Sequence, residues 1–469
     1  MQIKFGTDGW RGVIAREFTF DNLSLVAQAT MDWLHNEGLA GQGLVIGYDR
    51  RFLSPDFARR TAEVAAGNGI KVSFADNFVP TPAVSWAVKE RKAGAGIMIT
   101  ASHNPPIYNG FKVKEHYGGS ARPLTTRRLE DIVAKNQRAG FGVKEMQFEQ
   151  AVKSGLVEFS DLATPYLWQL ERVVDLQAIR KAAISAVVDP MYGAGSGFIP
   201  RLLAVDEIHN NANPGFGGCP PEPIEEHLSE LCKLTASGRY KVGLALDGDA
   251  DRIGAVDETG SFFSSHNIFA LLLKHLVERK GQTGAVVKTV SSTKMVDIMA
   301  AKYGLELFET PIGFKHICEL MLEKPVLMGG EESGGLGVTS HIPERDGVLM
   351  ALLLLETIAA TGKGLRQQLN EIMDENGHLY YRRIDFKIDQ DSKEKLLQRL
   401  VTSPPDSFAG QKVCKTNFMD GFKFIFANND WLLIRPSGTE PVLRLYSEAE
   451  DDETVLQLLQ AAKKFVGVV

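Results

Sequence analysis

Three aspartates at alternate positions, Asp247, Asp249 and Asp251, follow directly on the apolar run Leu244-Ala245-Leu246 in VGLALDGDADR. Carboxylates this close repel, and in a dry setting the Coulomb cost reaches several kcal/mol or more. A divalent cation is the natural compensation, and an all-oxygen donor set suits Mg²⁺, which takes octahedral ligands at about 2.1 Å. A second reactive stretch lies upstream in TASHNP, Thr100 to Pro105, where Ser102 stands beside His103 after the apolar AGIMIT. A serine hydrolase would place Ser102 within G-x-S-x-G, and no glycine flanks it. His103 is poorly placed as a base for its neighbour, because adjacent side chains tend to point to opposite sides. Alone, the stretch also reads as a turn, with Ser and Asn bonding locally and Pro ending the strand.

Two further loops carry polar groups. MGGEESGGLG sets Glu331 and Ser333 among glycines, a setting suited to holding a polyol at close range. RPSGTEP, Arg435 to Pro441, combines Arg435, Ser437, Gly438 and Thr439 into a plausible phosphate cradle. Read from Asp247, an EF-hand would have its carboxylates and its final Glu258 in place. Its sixth position, however, needs Gly and holds Arg252, and both flanks read as strands. An aspartyl-phosphate phosphatase is suggested by Asp247-x-Asp249 after a strand, but it leaves the other loops unexplained.

The elements that position these loops are short apolar runs alternating with helical patterns, which predicts α/β layers. Strands are expected at Gly43–Asp49, Lys71–Asp76, Ala95–Thr100, Ser185–Pro190, Val242–Asp247, Gly284–Val290 and Pro325–Gly330. Helix-like stretches such as DFARRTAEVAAGNG and STKMVDIMAAKYG lie between them and end in Gly. Beyond residue 376 the texture changes to alternating YYRRIDFKI, a polar helix, two strand-like runs and a last helix, which suggests a separate α+β unit. Expected domains are 1–155, 156–258, 259–376 and 377–469. The design of a strand followed by a polar loop recurs three times, and ligands in open α/β sheets bind outside such strand ends.

Composition is that of a globular protein: 469 residues, 44% hydrophobic, 23% charged, net charge −6 and pI near 6.0. That balance lacks the basic field that attracts nucleic acid, so a phosphorylated ligand would need a local cluster of Lys and Arg. Cys219, Cys232, Cys318 and Cys414 form no C-x-x-C, which excludes a spaced zinc site and suits a reducing compartment. No charged start followed by an apolar stretch appears, and the longest apolar run, VLMALLLL, is too short to span a bilayer. The expectation is a cytoplasmic protein with no membrane partner, as monomer or homodimer.

Taken together, FGTDGWRG, TASHNP, DGDADR, GEESGG and RPSGTEP, in this order, resemble the α-D-phosphohexomutase family, and within it the phosphoglucomutase/phosphomannomutase group. The resemblance implies three related α/β/α domains and a C-terminal α+β domain of TATA-binding-protein shape around a central cleft. It implies reversible phosphoryl transfer between C1 and C6 of a hexose phosphate, with a phosphoserine at Ser102 and a hexose 1,6-bisphosphate intermediate that also serves as activator. Ser102, Asp247, Asp249 and Asp251 would hold Mg²⁺. Arg11, Lys112 and Arg252 would surround the transferring group, with His103 and Lys315 as further catalytic candidates. Glu331, Ser333 and Lys288 would contact the sugar or its phosphate, and Arg435, Ser437, Gly438 and Thr439 the phosphate not reacting. Two features depart from relatives. Gly335 stands where many bacterial relatives carry His, and PIGFKH resembles the G-W-K form of phosphoglucomutases. Phosphoglucosamine mutases typically read G-E-Q-S-G-H, so Glu332 and Gly335 lean toward neutral hexoses. A calcium-binding or non-catalytic sugar-phosphate-binding protein is the alternative from another class.

Overall fold

A computed structural model describes residues 3–6, 8–140, 142–436 and 442–467. In the first sheet the strand Leu44–Tyr48 runs parallel to Val72–Ala75 and Ala95–Ile99, and Val157–Ser160 extends it in parallel at one edge. At the other edge Tyr108–Glu115 turns back antiparallel to Ala95–Ile99, followed by Trp10–Val13. Ala95–Ile99 is buried throughout, because helices such as Ser54–Gly67 and Thr81–Arg91 cover the sheet. An unbroken apolar run, not alternation, is what a strand covered on both faces requires.

The next two sheets repeat the plan. Val242–Leu246 is parallel to Ala186–Asp189, and Ile253–Val256 returns antiparallel beside it. Val326–Gly330 is parallel to Ala285–Thr289, and Leu336–Val338 returns antiparallel. In each of the three sheets the polar loop is therefore the hairpin between a buried parallel strand and its antiparallel return. VLMALLLL lies in the helix Gly347–Thr361, which packs into a core shared by the second and third sheets. Asp346 caps that helix by accepting from the Leu349 N–H.

The chain then builds a five-stranded antiparallel sheet in the order Tyr380–Lys387, Val442–Ala449, Trp431–Pro436, Phe422–Ile425, Lys415–Asn417. Helices Gln390–Thr402 and Asp452–Val466 close a separate apolar cluster on it. The architecture is thus three α/β/α domains and a C-terminal domain with an antiparallel sheet. We propose domain boundaries after Ser160, Phe263 and Asn376. The first two move from 155 and 258 because the strands Val157–Ser160 and Phe262–Phe263 still belong to the preceding sheets. Among the described residues no single helix is long and apolar enough to cross a membrane.

Candidate active site

Ser102 sits at the first hairpin in the left-handed region, φ 51°, and is 1% exposed. A non-glycine residue holds that conformation only when its surroundings fix it. The fixing comes from Arg51, whose guanidinium donates to the carbonyls of Ser102 (2.6 Å), Asn104 (2.6 Å), Pro105 (2.9 Å) and Tyr108 (3.1 Å). Arg51 is itself buried and paired with Asp49 at 3.2 Å. Asp49 also accepts from Ser54 Oγ and Thr100 Oγ1, and Thr100 Oγ1 in turn accepts from the Ser102 N–H. The outcome is one direction for the hydroxyl: Ser102 Oγ donates to Asp247 Oδ2 at 2.6 Å.

Asp247, Asp249 and Asp251 are fully buried, with ligand atoms all within 4.8 Å of one another. Strands, not helices, flank their loop, which removes the EF-hand reading. Each carboxylate is already tied to protein at Oδ2, and Asp247 Oδ1 also accepts from the Arg252 N–H at 3.1 Å. Asp247 Oδ2 receives Ser102, Asp249 Oδ2 receives Lys112 and Thr81, and Asp251 Oδ2 receives Lys112 and Arg345. Asp249 Oδ1 and Asp251 Oδ1 are buried without a hydrogen-bond partner among the described residues. Buried carboxylate oxygens without partners are costly, and two of them converging beside Asp247 fit a hard divalent cation. Burial and then its two neighbours push Asp247 well above the ordinary aspartate range. Burial would do the same to Asp249, but Lys112 and the Thr81 hydroxyl outweigh it and hold Asp249 low.

The basic set predicted around this centre is largely assembled. Lys112 is 1% exposed and its ammonium meets Asp8 (2.6 Å), Asp249 (2.7 Å) and Asp251 (2.8 Å); although burial disfavours its charge, these three carboxylates raise its pKa. Arg11 donates to the Asn104 side chain of the Ser102 loop. Arg252 lies between Asp251, 4.0 Å from its Nε, and Glu222, 3.7 Å from its Nη1. His103 Nδ1 is 3.5 Å from Ser102 Oγ, at the outer limit of a hydrogen bond. Burial first, then the charges of Arg252, Arg11, Lys112 and Arg51, hold its pKa well below the ordinary value.

The third hairpin brings Glu331 to the same place. Its carboxylate is buried, accepts from the Gly313 N–H at 2.9 Å and lies 3.4 Å from Arg345. Ser333 is partly exposed on this loop. Lys315 stands one residue into the helix Phe314–Glu323, half-buried; burial lowers its pKa while Asp8 and Glu319 oppose. His316 lies 3.7 Å from Glu319 on the same helix, as a surface position would. Glu332 pairs instead with Arg383 of the C-terminal sheet at 3.1 Å.

Lys288 and Arg435 make their contacts away from the aspartate triad. Lys288 is not at this centre: its ammonium is tied to Asp297 and to the Thr293 carbonyl, facing a 570 Å³ cavity whose lining includes Lys423, Asn417 and His378. The reason is register, since Lys288 shares its face of the sheet with Glu309 of the neighbouring strand, 3.9 Å away. Arg435 donates to Asp420 at 3.0 Å, and Asp420 accepts from the Ile312 N–H, which links the C-terminal sheet to the PIGFKH turn. Ser437, Gly438 and Thr439 lie outside the described residues.

Asp8, Asp49, Arg51, Thr81 and Arg345 are the participants that sequence reasoning missed. Asp8 alone had a signal, as a member of FGTDGWRG. Glycines also carry the assembly. A Cβ on Gly248 would overlap the Ser102 carbonyl oxygen and lie 3.0 Å from Pro221 Cγ, so the metal-side loop approaches the serine loop only without a side chain there.

The chain is similar to known proteins over nearly its whole length. The phosphoglucomutase/phosphomannomutase α/β/α domains I, II and III match residues 2–140, 164–260 and 264–376, and the family's C-terminal domain matches 392–464. The chain is 30% identical to the phosphoglucomutase/phosphomannomutase of Thermococcus kodakarensis, over 98% of each chain. It is 32% identical to a protein of Methanosphaera stadtmanae named as a probable phosphoglucosamine mutase, over 99% of this chain and 98% of that one. The solved structure of a candidate phosphomannomutase from Thermus thermophilus superposes with a TM-score of 0.85 at 35% identity, covering 100% and 99%. With its three α/β/α domains and its C-terminal domain matched in order and relatives aligned over nearly the whole length, the chain belongs to the phosphoglucomutase/phosphomannomutase family of α-D-phosphohexomutases, as a phosphohexomutase.

Proposed function

We propose that the protein interconverts the 1- and 6-phosphates of a neutral hexose, glucose and also mannose, through a phosphoserine at Ser102 and a hexose 1,6-bisphosphate. The carrying observation is the 2.6 Å bond from Ser102 Oγ to Asp247, beside two buried carboxylate oxygens that have no hydrogen-bond partner among the described residues. Asp247, Asp249, Asp251 and one phosphoserine oxygen would hold Mg²⁺, which supplies charge compensation for the phosphoryl group when bound.

In the forward direction a sugar hydroxyl attacks the phosphorus on Ser102. A P–O bond to the sugar forms, the Ser102 Oγ–P bond breaks, and the proton lost by the sugar hydroxyl is balanced by one gained at Ser102 Oγ. The bisphosphate then turns over in the cleft, and its other phosphate returns to Ser102. Phosphoryl transfer of this kind depends on position and charge more than on covalent help. Arg11, Lys112 and Arg252 supply fixed positive charge, and burial strengthens it. Glu331 and Ser333 read hydroxyls, Lys315 and Arg435 grip phosphate, and a hexose 1,6-bisphosphate activator primes Ser102. His103, with Nδ1 3.5 Å from Ser102 Oγ, stands where it can relay the proton gained at that oxygen.

Relatives near 30% identity are named both as phosphoglucomutase/phosphomannomutase and as phosphoglucosamine mutase. The neutral-hexose reading rests on Glu332 and Gly335 in the sugar loop. It is tested by kcat/KM for glucose 1-phosphate, mannose 1-phosphate and glucosamine 1-phosphate, with Mg²⁺ and a trace of the matching bisphosphate. Glucose or mannose should dominate; dominance of glucosamine 1-phosphate would replace this reading with phosphoglucosamine mutase.

A further inference from the structure

Arg345 lies between the sugar loop and the helix Gly347–Thr361, and is 4% exposed. Its guanidinium touches four carboxylates from separate parts of the chain. Nη2 pairs with Asp8 and, at 2.8 Å, with Asp251; Nη1 lies 3.4 Å from Glu331; Nε lies 3.5 Å from Glu344. Asp251 belongs to the aspartate triad and Glu331 to the sugar loop, so one planar cation spans both. The fork of a guanidinium can hold two carboxylates in fixed relative positions, which an ammonium cannot.

Gly335 makes the room. A Cβ on it would overlap Arg345 Cδ, lie 3.0 Å from Arg345 Cγ and sit 3.3 Å from Glu331 Oε2. Gly335 has no positive φ, so the demand there is for space and not for backbone freedom. The aliphatic part of Arg345 thus fills the volume that a side chain at 335 would take.

We propose that Arg345 is a positioning residue that couples the sugar-reading carboxylate Glu331 to the metal-side carboxylate Asp251, and that Gly335 is glycine in order to admit it. The inference rests on the proposed roles of Glu331 and Asp251. One guanidinium sets both, so a disturbance on the sugar side reaches the cation side. Any side chain at 335 produces the same double defect as loss of Arg345.

The test combines Arg345→Lys, which keeps the charge but not the fork, with Gly335→Ala and the double variant. Mg²⁺ affinity is measured by calorimetry on the full-length protein, independently of turnover, and KM and kcat follow separately. Groups that orient metal ligands from outside the coordination shell are typically worth ~10–100-fold in affinity or activity. Arg345→Lys is therefore expected to weaken Mg²⁺ binding at least about tenfold, together with a raised KM for the hexose phosphate. Gly335→Ala should reproduce both effects, and the double variant should be little worse than either single one. Unchanged Mg²⁺ affinity in both single variants, or losses that simply add, would overturn the coupling. If Arg345→Lys does not fold, Gly335→Ala decides alone: weakened Mg²⁺ binding supports the proposal and unchanged binding refutes it. A wild-type protein inactive on every hexose phosphate would count against the proposed function, while the calorimetry would still judge Arg345.

Discussion

Ser102 Oγ and Asp247 Oδ2 stand 2.6 Å apart although 145 positions separate them in the chain. The contact joins the hairpin loops of two different sheets, and both loops bend sharply to make it, with Ser102 at φ 51° and Ala250 at φ 57°. Neither bend is intrinsic to a serine or an alanine. The surrounding side chains, and the absence of a side chain at Gly248, maintain it.

Gly248→Ala places a methyl group against the Ser102 carbonyl oxygen and Pro221. The expected result is a kcat about a hundredfold lower, from a serine displaced by a fraction of an ångström to an ångström. The thermal midpoint should fall little, because the site and not the core absorbs the change. Steady-state kinetics and calorimetric melting of one sample check both parts.

Arg51→Met removes four donors to the serine loop and leaves Asp49 buried without its partner. Breaking a buried pair from one side costs about 3–5 kcal/mol, whereas removing both charges is milder. Asp49→Asn combined with Arg51→Met is therefore expected to be more stable than Arg51→Met alone, while both lack mutase activity. Urea unfolding of the two variants at one pH separates the stability effect from the catalytic one.

Much of this framework was legible in the sequence, for a physical reason. Val242–Leu246 and Ala95–Ile99 are covered on both faces and read as unbroken apolar runs ending in polar loops. The strand Tyr108–Glu115 was not legible, although nearly all of it is buried. Its Lys112 and Lys114 alternate with Phe111 and Val113, so a cation-bearing face turned into the cleft looks like a solvent face. Arg345 was equally hidden. Its partner Asp251 lies 94 positions away, and nothing local distinguishes PERDG from a charged turn. The surroundings of Lys288 were hidden too, because the strand says nothing of Asp297, which lies nine positions on and holds its ammonium.

Stability carries its own pH signature at Glu356, in the buried helix Gly347–Thr361. Burial raises its pKa, but His275, Lys280 and the Asp175 N–H, at 3.0, 2.8 and 2.9 Å, outweigh it and set the folded value below the ordinary 4.5. A lowered folded pKa means that this stabilisation is complete above the unfolded value and disappears as pH falls through the folded one. Glu356→Gln should thus cost about 1–3 kcal/mol near pH 7, and the difference from wild type should shrink below pH 4.5. Thermal midpoints of both proteins across that range give the check.

Chelation bears on the triad. With Asp249 Oδ1 and Asp251 Oδ1 accepting no hydrogen bond among the described residues, EDTA should abolish turnover and lower the thermal midpoint, and Mg²⁺ should restore both. Asp249→Asn should bind Mg²⁺ at least about tenfold more weakly, as read by calorimetry.

The most direct measurement is the phosphorylation of Ser102. The protein is incubated with glucose 1,6-bisphosphate and Mg²⁺, and intact mass and peptide mapping are compared with Ser102→Ala. One phosphoryl group is expected, located on Ser102, with neither phosphorylation nor turnover in the alanine variant. Normal turnover in Ser102→Ala, or a phosphoryl group carried on another residue, would contradict the phosphoserine mechanism.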